Sequence, residues 1–270
     1  MTETPVAYPV NSALGRFGIA QIVDSPDPFV SSMPFAGLVN PVTGLPTVGP
    51  LAVLVDHVAG VVNHYRRAAD EWTVTSELTL EITPAAMDIV ADGTSTTAVA
   101  TARPIGTRDN AALGSCEIIV GDTVIAIGTV RSVYIRHPGE FAQQWPPPTV
   151  DDDERPTALA DIMALELDGT NVIRQRANPV INNSLGIVHG GVSAAGLELA
   201  ASAALNAGRV DEPLHTASLR VNYLRQFLAG GESRYEGSVL RVGRRSGVAD
   251  AQAIGADGEV ALIARLTAYR

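Results

Sequence analysis

The chain has 270 residues, of which 46% are hydrophobic and 18% charged, so it has the composition of a globular protein with a large core. Its formal net charge of −10 argues against a broad phosphate-binding surface, and we expect no nucleic-acid partner. The single cysteine, Cys116, excludes an internal disulfide and a four-cysteine metal site.

The N-terminal segment, residues 1–17, has neither the basic region nor the apolar core of a signal peptide. The most apolar window, residues 48–62, is shorter than a membrane span and contains Asp56 and His57. We therefore expect a cytoplasmic protein without a membrane partner.

In the first half of the chain, an irregular lead-in is followed by one helix and several strands. A stretch rich in Ala, Val and Leu predicts the helix near residues 49–68, directly after a glycine-containing turn, TVG. The β-rich segments after it predict strands at residues 72–82, 95–105, 111–120 and 123–135.

A connector divides the chain into two units. Residues 145–156, WPPPTVDDDERP, combine prolines with a block of acidic residues and predict a stiff, solvated segment. We place an N-terminal unit at residues 1–144 and a C-terminal unit at residues 157–270. The second unit repeats the order of the first, with a helix near residues 190–207 and strands at residues 214–224, 233–242, 247–256 and 260–270.

Landmark residues recur at a spacing of 142 positions, which indicates an internal duplication. The spacing relates Asn40 to Asn182, Gly49 to Gly191, Asp56 to Glu198 and Thr83 to Arg225. Past the next loop it falls to 137, pairing PIGTR with RVGRR, as a five-residue difference in loop length requires. We therefore expect two helix-plus-antiparallel-sheet repeats whose sheets join edge to edge as a pseudo-dimer.

The second unit resembles the hotdog-fold thioesterases of the PaaI-like group. The resemblance rests on NSLGIVHGG at residues 183–191, on Glu198 nine positions after His189, and on ASLRVNYLRQFLAGGE. It covers most of residues 157–270 and extends more weakly to residues 15–136, where TVG stands in place of HGG. It implies an α+β fold, a double hotdog, and acyl-CoA thioesterase activity that needs no cofactor.

Thioester hydrolysis needs a donor that polarises the carbonyl and a carboxylate that directs water or attacks directly. The backbone N–H of Gly190, at a helix start, is the candidate donor; alternatively, Gly190 and Gly191 serve only a tight turn and helix packing. Glu198 lies among alanines and leucines, where a buried unpaired carboxylate is costly, so we expect it to face a cleft or a partner. Asp56 holds the matching position in the first unit.

Two further polar residues precede the second helix. Asn183 is a candidate for holding the lytic water or the thioester, and its alternative role is that of a turn former. His189 is a candidate for an accessory role beside the substrate, and its alternative role is structural.

In hotdog dimers of this group, the Asn and Gly of one unit face the acid of the other. The resemblance therefore implies a first site composed of Asn183, His189, Gly190, Asp56 and Thr83. It implies a second, degraded site composed of Thr47, Val48, Glu198 and Arg225. We expect catalysis to run mainly through the first site.

An arginine cluster lies around a turn of the second unit, at Arg241, Arg244 and Arg245. In an acidic chain it is a candidate for binding the phosphates of coenzyme A, and the alternative is a solvated β-turn.

Several other chemistries lack their motifs. The sequence contains no G-x-S-x-G, no HExxH and no Walker-type loop, so we expect neither a serine-elbow esterase, nor a metal site, nor nucleotide-dependent chemistry. Three functions stay open: an acyl-CoA thioesterase, a non-catalytic acyl-CoA binding protein, and a hotdog hydratase or dehydratase acting on acyl thioesters. Association of pseudo-dimers into a homo-oligomer is also open.

Overall fold

The computed structural model describes residues 4–94, 96–136, 154–169, 172–209 and 211–270. Most of the predicted connector at residues 145–156 lies outside these ranges. The strands are β1 (Val6–Ala7), β2 (Ala20–Val23), β3 (Phe29–Pro34), β4 (Glu71–Ile82), β5 (Thr97–Ile105), β6 (Ala111–Val120), β7 (Thr123–Arg136), β8 (Leu165–Leu167), β9 (Val172–Gln175), β10 (His215–Tyr223), β11 (Arg234–Val242), β12 (Ser246–Ile254) and β13 (Val260–Tyr269). The helices are α1 (Ala13–Arg16), α2 (Leu51–His64), α3 (Pro84–Asp92), α4 (Leu159–Ile162) and α5 (Gly190–Asn206), with a 3₁₀ turn at Pro179–Ile181.

The described strands form one antiparallel sheet in the order β1-β2-β3-β5-β6-β7-β4-β10-β13-β12-β11-β9-β8. Counted outward from the centre, β4-β7-β6-β5-β3 in the first half matches β10-β13-β12-β11-β9 in the second. The strand order therefore repeats, and the two halves meet at β4 and β10.

The register between β4 and β10 has the same symmetry. Leu80 pairs with Leu219, and Glu77 pairs with Asn222. Since 77 + 142 = 219 and 222 − 142 = 80, each pair maps onto the other. The spacing found in the sequence thus corresponds to a pseudo-twofold axis through this ladder.

Each half wraps its sheet around one long helix. All residues from Leu51 to Ala59 in α2 and from Gly191 to Ala201 in α5 are buried, as helices that are apolar all round require. The two helices also touch: a Cβ on Gly191 would lie 2.5 Å from Cα of Val53. The start of α5 is therefore pressed against the middle of α2, which brings one repeat's glycine turn to the other repeat's acid.

The eight strands predicted after the two helices are all present, with bounds within two residues of the prediction. The prediction of irregular lead-ins was wrong, because these segments contain β3 and β9, which pair with β5 and β11. The two strands are short, and Ser and Pro make up half of β3, so their sequence pattern is weak.

Additions to the repeat lie mainly in the first half. Before β3, the chain forms β1, α1 and β2 at one edge of the sheet. Helix α3 follows β4, in the loop where the repeat spacing falls from 142 to 137. Within the described ranges, none of the helices combines the length and the apolar character that a membrane crossing requires.

Candidate active site

A cavity of about 730 Å³ lies between the two halves. The first half contributes α2, β4 and β7 to its walls, and the second half contributes the segments 182–190 and 223–227. Asp56, Asn183, His189 and Gly190 all line it, so the structure places four of the five residues of the predicted first site around one space.

Asp56 is 8% exposed, and both of its carboxylate oxygens accept hydrogen bonds. Oδ2 accepts from the backbone N–H of Gly191, across the interface, at 2.7 Å. Oδ1 accepts from the hydroxyl of Thr75 on β4 at 2.8 Å. The carboxylate is therefore held in one orientation by donors from both halves of the chain.

Helix α5 begins at Gly190, beside this carboxylate. Within the described part of the chain, no group accepts a hydrogen bond from the Gly190 N–H, one of the donors that every helix start leaves unpaired. A Cβ on Gly190 would lie 2.8 Å from Asp56 Oδ2, so this position has no room for a side chain. The unpaired N–H, at the positive end of the helix dipole, is available to an oxygen atom in the cavity.

His189 precedes the helix as its N-cap. Its Nδ1 accepts from the Gly191 N–H at 3.1 Å and lies 3.4 Å from Asp56 Oδ2. Burial lowers the pKa of His189 below its ordinary value, and the Asp56 carboxylate opposes part of that shift. We therefore assign a neutral ring that orients the turn, which fits the accessory role expected from the sequence.

The hydroxyl residue beside Asp56 is Thr75, and the structure does not bring Thr83 to this site. The Thr83 hydroxyl donates to the carbonyl of Val124 at 3.0 Å, at the start of α3. Thr83 lies eight residues beyond Thr75, which corresponds to about 26 Å along an extended chain. Sequence reasoning missed Thr75, although the repeat offers a signal. Thr75 stands 19 positions after Asp56, Thr216 stands 18 positions after Glu198, and each threonine donates a hydrogen bond to the acid of its own half.

Asn183 faces the cavity but uses its side-chain oxygen locally. Oδ1 accepts from the Leu185 N–H at 2.9 Å, which is the turn-forming role given as the alternative. Its neighbour Asn182, which also lines the cavity, has a buried Oδ1 with no hydrogen-bond partner among the described residues. Asn183 therefore stabilises the turn, whereas Asn182 places an unpaired acceptor in the cavity wall.

The second acid, Glu198, is enclosed. It is 1% exposed, and its oxygens accept from the hydroxyls of Thr47, at 2.8 Å, and Thr216. Burial raises the pKa of Glu198, and these two hydrogen bonds oppose the shift. The adjoining cavity measures about 10 Å³, at most the space of a single water molecule.

The site around Glu198 is closed because a threonine, Thr47, stands where the other half has His189. Thr47 stands at the position of His189, since 189 − 142 = 47. Its hydroxyl accepts from the Gly49 N–H at 3.1 Å and also donates to Glu198, while Val48 is fully buried. The expected pairing of Arg225 with this site is wrong, because Arg225 lines the larger cavity and forms an ion pair with Asp257 at 2.7 Å.

The arginine cluster lies at the opposite end of its sheet from the cavity. Arg244 and Arg245 lie in the turn before Ser246, which pairs with Tyr269 on β13. The cavity meets that strand at Leu262, seven residues or about 23 Å away. The structure therefore does not bring Arg241, Arg244 and Arg245 to the site of Asp56.

In the described ranges, no three His, Cys, Asp or Glu residues are grouped as a metal site requires.

Comparisons with known proteins agree with this architecture. Residues 185–262 match the family model described as Thioesterase superfamily. A solved structure described as having a hot dog fold, from Alicyclobacillus acidocaldarius, is 13% identical with a TM-score of 0.56, covering 93% of this chain and 95% of its own. A search of curated proteins found no match.

Two further solved structures are similar over most of their length. The acyl-CoA thioesterase II TesB2 from Mycobacterium marinum is 12% identical, covers 89% of this chain and 90% of its own, and gives a TM-score of 0.58. The 12:0-ACP thioesterase from Umbellularia californica is 15% identical, covers 88% and 93%, and gives a TM-score of 0.50. These matches confirm the fold class predicted from the sequence, an α+β double hotdog.

Proposed function

We propose that this protein hydrolyses acyl-CoA thioesters to a carboxylic acid and free coenzyme A, as a tandem thioesterase of the PaaI-like group. The observation that carries the proposal is the meeting of the Asp56 carboxylate and the unpaired Gly190 N–H, from opposite halves, in the wall of one large cavity. A carboxylate and an oxyanion donor are the two groups that this reaction needs.

In the proposed reaction, the thioester carbonyl oxygen accepts a hydrogen bond from Gly190 and develops negative charge at the start of α5. Asp56 removes a proton from a water molecule whose oxygen attacks the carbonyl carbon. The carbon–sulfur bond then breaks, and the thiolate of coenzyme A takes up the proton from Asp56. Thr75 and Gly191 keep the carboxylate in position throughout.

The named neighbours support this class of reaction, since one is named for acyl-CoA and another for acyl-ACP hydrolysis. We further propose that the substrate belongs to the cytoplasmic acyl-CoA pool and that neither nucleic acid nor a membrane is a partner. Sedimentation at several protein concentrations tests whether pseudo-dimers associate into a homo-oligomer.

A thiol-release assay with acetyl- through palmitoyl-CoA and with phenylacetyl-CoA tests the function. We expect hydrolysis by the native protein and almost none by Asp56→Asn. Tight binding of acyl-CoA without thiol release would instead support a non-catalytic binding protein. Hydration of an enoyl-CoA without thiol release would support the hydratase.

A further inference from the structure

The residues that line the cavity differ in chemistry between the two halves of the chain, and we name the two sides as two arms. The acyl arm, as we name it, lies in the first half and runs along α2 past Leu14, Val61, Trp72, Val74, Val133 and Ile135. The polar arm lies in the second half and combines the polar Asn182, Asn183, Ser184, Arg225 and Gln226 with the apolar Leu185, Ile187, Val188, Leu224, Phe227 and Leu262. Asp56 and Gly190 stand where the arms join.

Polar groups in the acyl arm are satisfied by the protein itself. Thr73 is hydrogen-bonded to His64, Ser132 accepts from Asn63, and Ser76 donates to the carbonyl of Arg131. Burial lowers the pKa of His64 to about 4, so its ring is neutral at neutral pH. A wall of satisfied, uncharged groups favours an apolar ligand.

The polar arm differs in its polar groups. Asn182 Oδ1 is buried there without a partner among the described residues, and the Arg225 guanidinium, ion-paired with Asp257, also lines it. An unpaired buried acceptor favours a ligand that carries an N–H donor, such as the amides of pantetheine. The thioester therefore fits with its acyl chain in the acyl arm and its coenzyme in the polar arm.

Gly60 is a helical glycine that packing does not explain. It lies in the interior of α2, where glycine costs about 0.5–1 kcal/mol relative to alanine. A Cβ on Gly196 in α5 would lie 2.4 Å from the Tyr235 ring, whereas a Cβ on Gly60 would meet nothing within 4 Å. Gly60 lines the cavity one turn after Asp56, on the same face of the helix. Its missing side chain leaves the acyl arm open.

We propose that Gly60 sets the length of acyl chain that this protein accepts, and that the preferred substrates carry medium-length acyl groups. This proposal rests on the proposed function. Asp56 and His64 are separated by eight helical residues, or about 12 Å along the axis. An extended alkyl chain rises about 1.25 Å per carbon, because C–C bonds are about 1.5 Å long, so roughly ten carbons span the arm.

Gly60 lies about 6 Å from Asp56 along the helix axis, which corresponds to roughly five carbons. A leucine there fills the arm beyond that point. We expect Gly60→Leu to lower kcat/KM for decanoyl-CoA by about tenfold or more while changing butyryl-CoA hydrolysis by less than about threefold, since one methylene in an apolar pocket changes kcat/KM by roughly 10- to 200-fold. Gly60→Ala should give an intermediate loss for decanoyl-CoA.

The matched control is Ser184→Leu, which adds the same side chain to the polar arm. It should lower kcat/KM by a similar factor for both substrates, because every thioester carries the same coenzyme. Thermal unfolding checks the fold of each variant, and alanine or leucine in place of a helical glycine should not lower Tm. An unchanged chain-length profile in a folded Gly60→Leu protein would overturn the proposal.

A binding measurement separates this inference from the proposed function. S-decyl-CoA and S-butyl-CoA are thioethers that cannot be hydrolysed, and calorimetry measures their affinities directly. The native protein should bind the decyl compound at least about tenfold more tightly, and Gly60→Leu should abolish the difference. Absence of thioesterase activity with this result retained would refute the proposed reaction alone. Equal binding of both thioethers by the native protein would refute the acyl arm.

Discussion

Asp56 and Glu198 occupy matching positions in the two repeats, yet one carboxylate borders a cavity of about 730 Å³ and the other a space of about 10 Å³. Each accepts a hydrogen bond from a threonine of its own half and a second one from the other half. The second bond differs: a backbone N–H bonds Asp56, whereas the Thr47 side chain bonds Glu198. The same scaffold therefore supports an open and a filled site.

The difference arises from small changes in side chains. Glu198 is one methylene longer than aspartate and reaches both threonine hydroxyls. Thr47 replaces the imidazole of His189 with a short side chain that bonds the acid directly. One half of the chain thus has a packed, hydrogen-bonded junction where the other half has the groups that the proposed reaction needs.

The largest expected effect distinguishes the two acids. Asp56→Asn should lower kcat by about 10² to 10⁴, the usual contribution of a positioned general base. Glu198→Gln should retain most of the activity, because its carboxylate does not border the large cavity. Thiol release at saturating substrate measures both. An inactive Glu198→Gln beside an active Asp56→Asn would reverse the assignment of the sites.

The two glycines that face the acids provide a second test. A Cβ on Gly190 would lie 2.8 Å from Asp56 Oδ2, and one on Gly49 would lie 2.5 Å from Glu198 Oε2. Gly190→Ala should displace the Asp56 carboxylate and lower kcat/KM by roughly 10²-fold, as misplacement of about 1 Å does. Gly49→Ala should lower Tm and leave kcat/KM of the folded fraction nearly unchanged. Equal losses of activity in the two variants would contradict the division between an active and a structural site.

Substitutions of Thr75 and Thr83 should have smaller effects on activity, and the two effects should differ. Thr75→Val removes one hydrogen bond to the Asp56 carboxylate and should lower kcat/KM about tenfold, equivalent to roughly 1.5 kcal/mol. Thr83→Val is the control, since Thr83 bonds backbone carbonyls at the start of α3, and its kcat/KM should stay close to that of the native protein. A greater loss in Thr83→Val would restore the residue that the sequence suggested.

The smallest effect concerns the pH dependence of stability. Burial raises the pKa of Glu198 above its ordinary value of 4.5, so protonation of Glu198 stabilises the folded state. This stabilisation is fully present below that pH and is lost as pH rises through the folded-state pKa. Glu198→Gln cannot titrate, so its stability relative to the native protein should improve as pH rises. Urea unfolding between pH 4 and pH 8, values that bracket the ordinary pKa of glutamate and neutrality, measures this difference. A constant difference in stability across that range would show that titration of Glu198 does not contribute to the pH dependence of stability.

Most of the helices and strands could be predicted because their patterns lie within short stretches of the sequence. The apolar runs of α2 and α5 and the eight strands that follow them have strong periodic patterns, and the spacing of 142 relates the halves. β3 and β9 were missed because a short strand draws its stability from its neighbour in the sheet, which the sequence pattern does not show.

The candidate site was predictable in part. The resemblance paired Asp56 with the turn of the other half, and the structure places Gly191 N–H 2.7 Å from that carboxylate. Thr83 and Arg225 stand in matching positions 142 apart, but an equal spacing in the repeat does not place a residue in contact with the acid. Which hydroxyl reaches Asp56 depends on the direction of β4 past α2, which sequence spacing does not contain.

The internal repeat, the two helices, the positions of the two acids and the glycine turns can all be read from residue type and spacing along the chain. Three features emerge from packing alone: Asp56 faces a cavity while Glu198 is sealed, Thr75 is the hydroxyl beside the acid, and Gly60 leaves space open. The physical reason is that cavities are the volume left after side chains from distant segments have packed. A difference of one methylene or one ring across the pseudo-twofold axis is enough to fill such a space or leave it open.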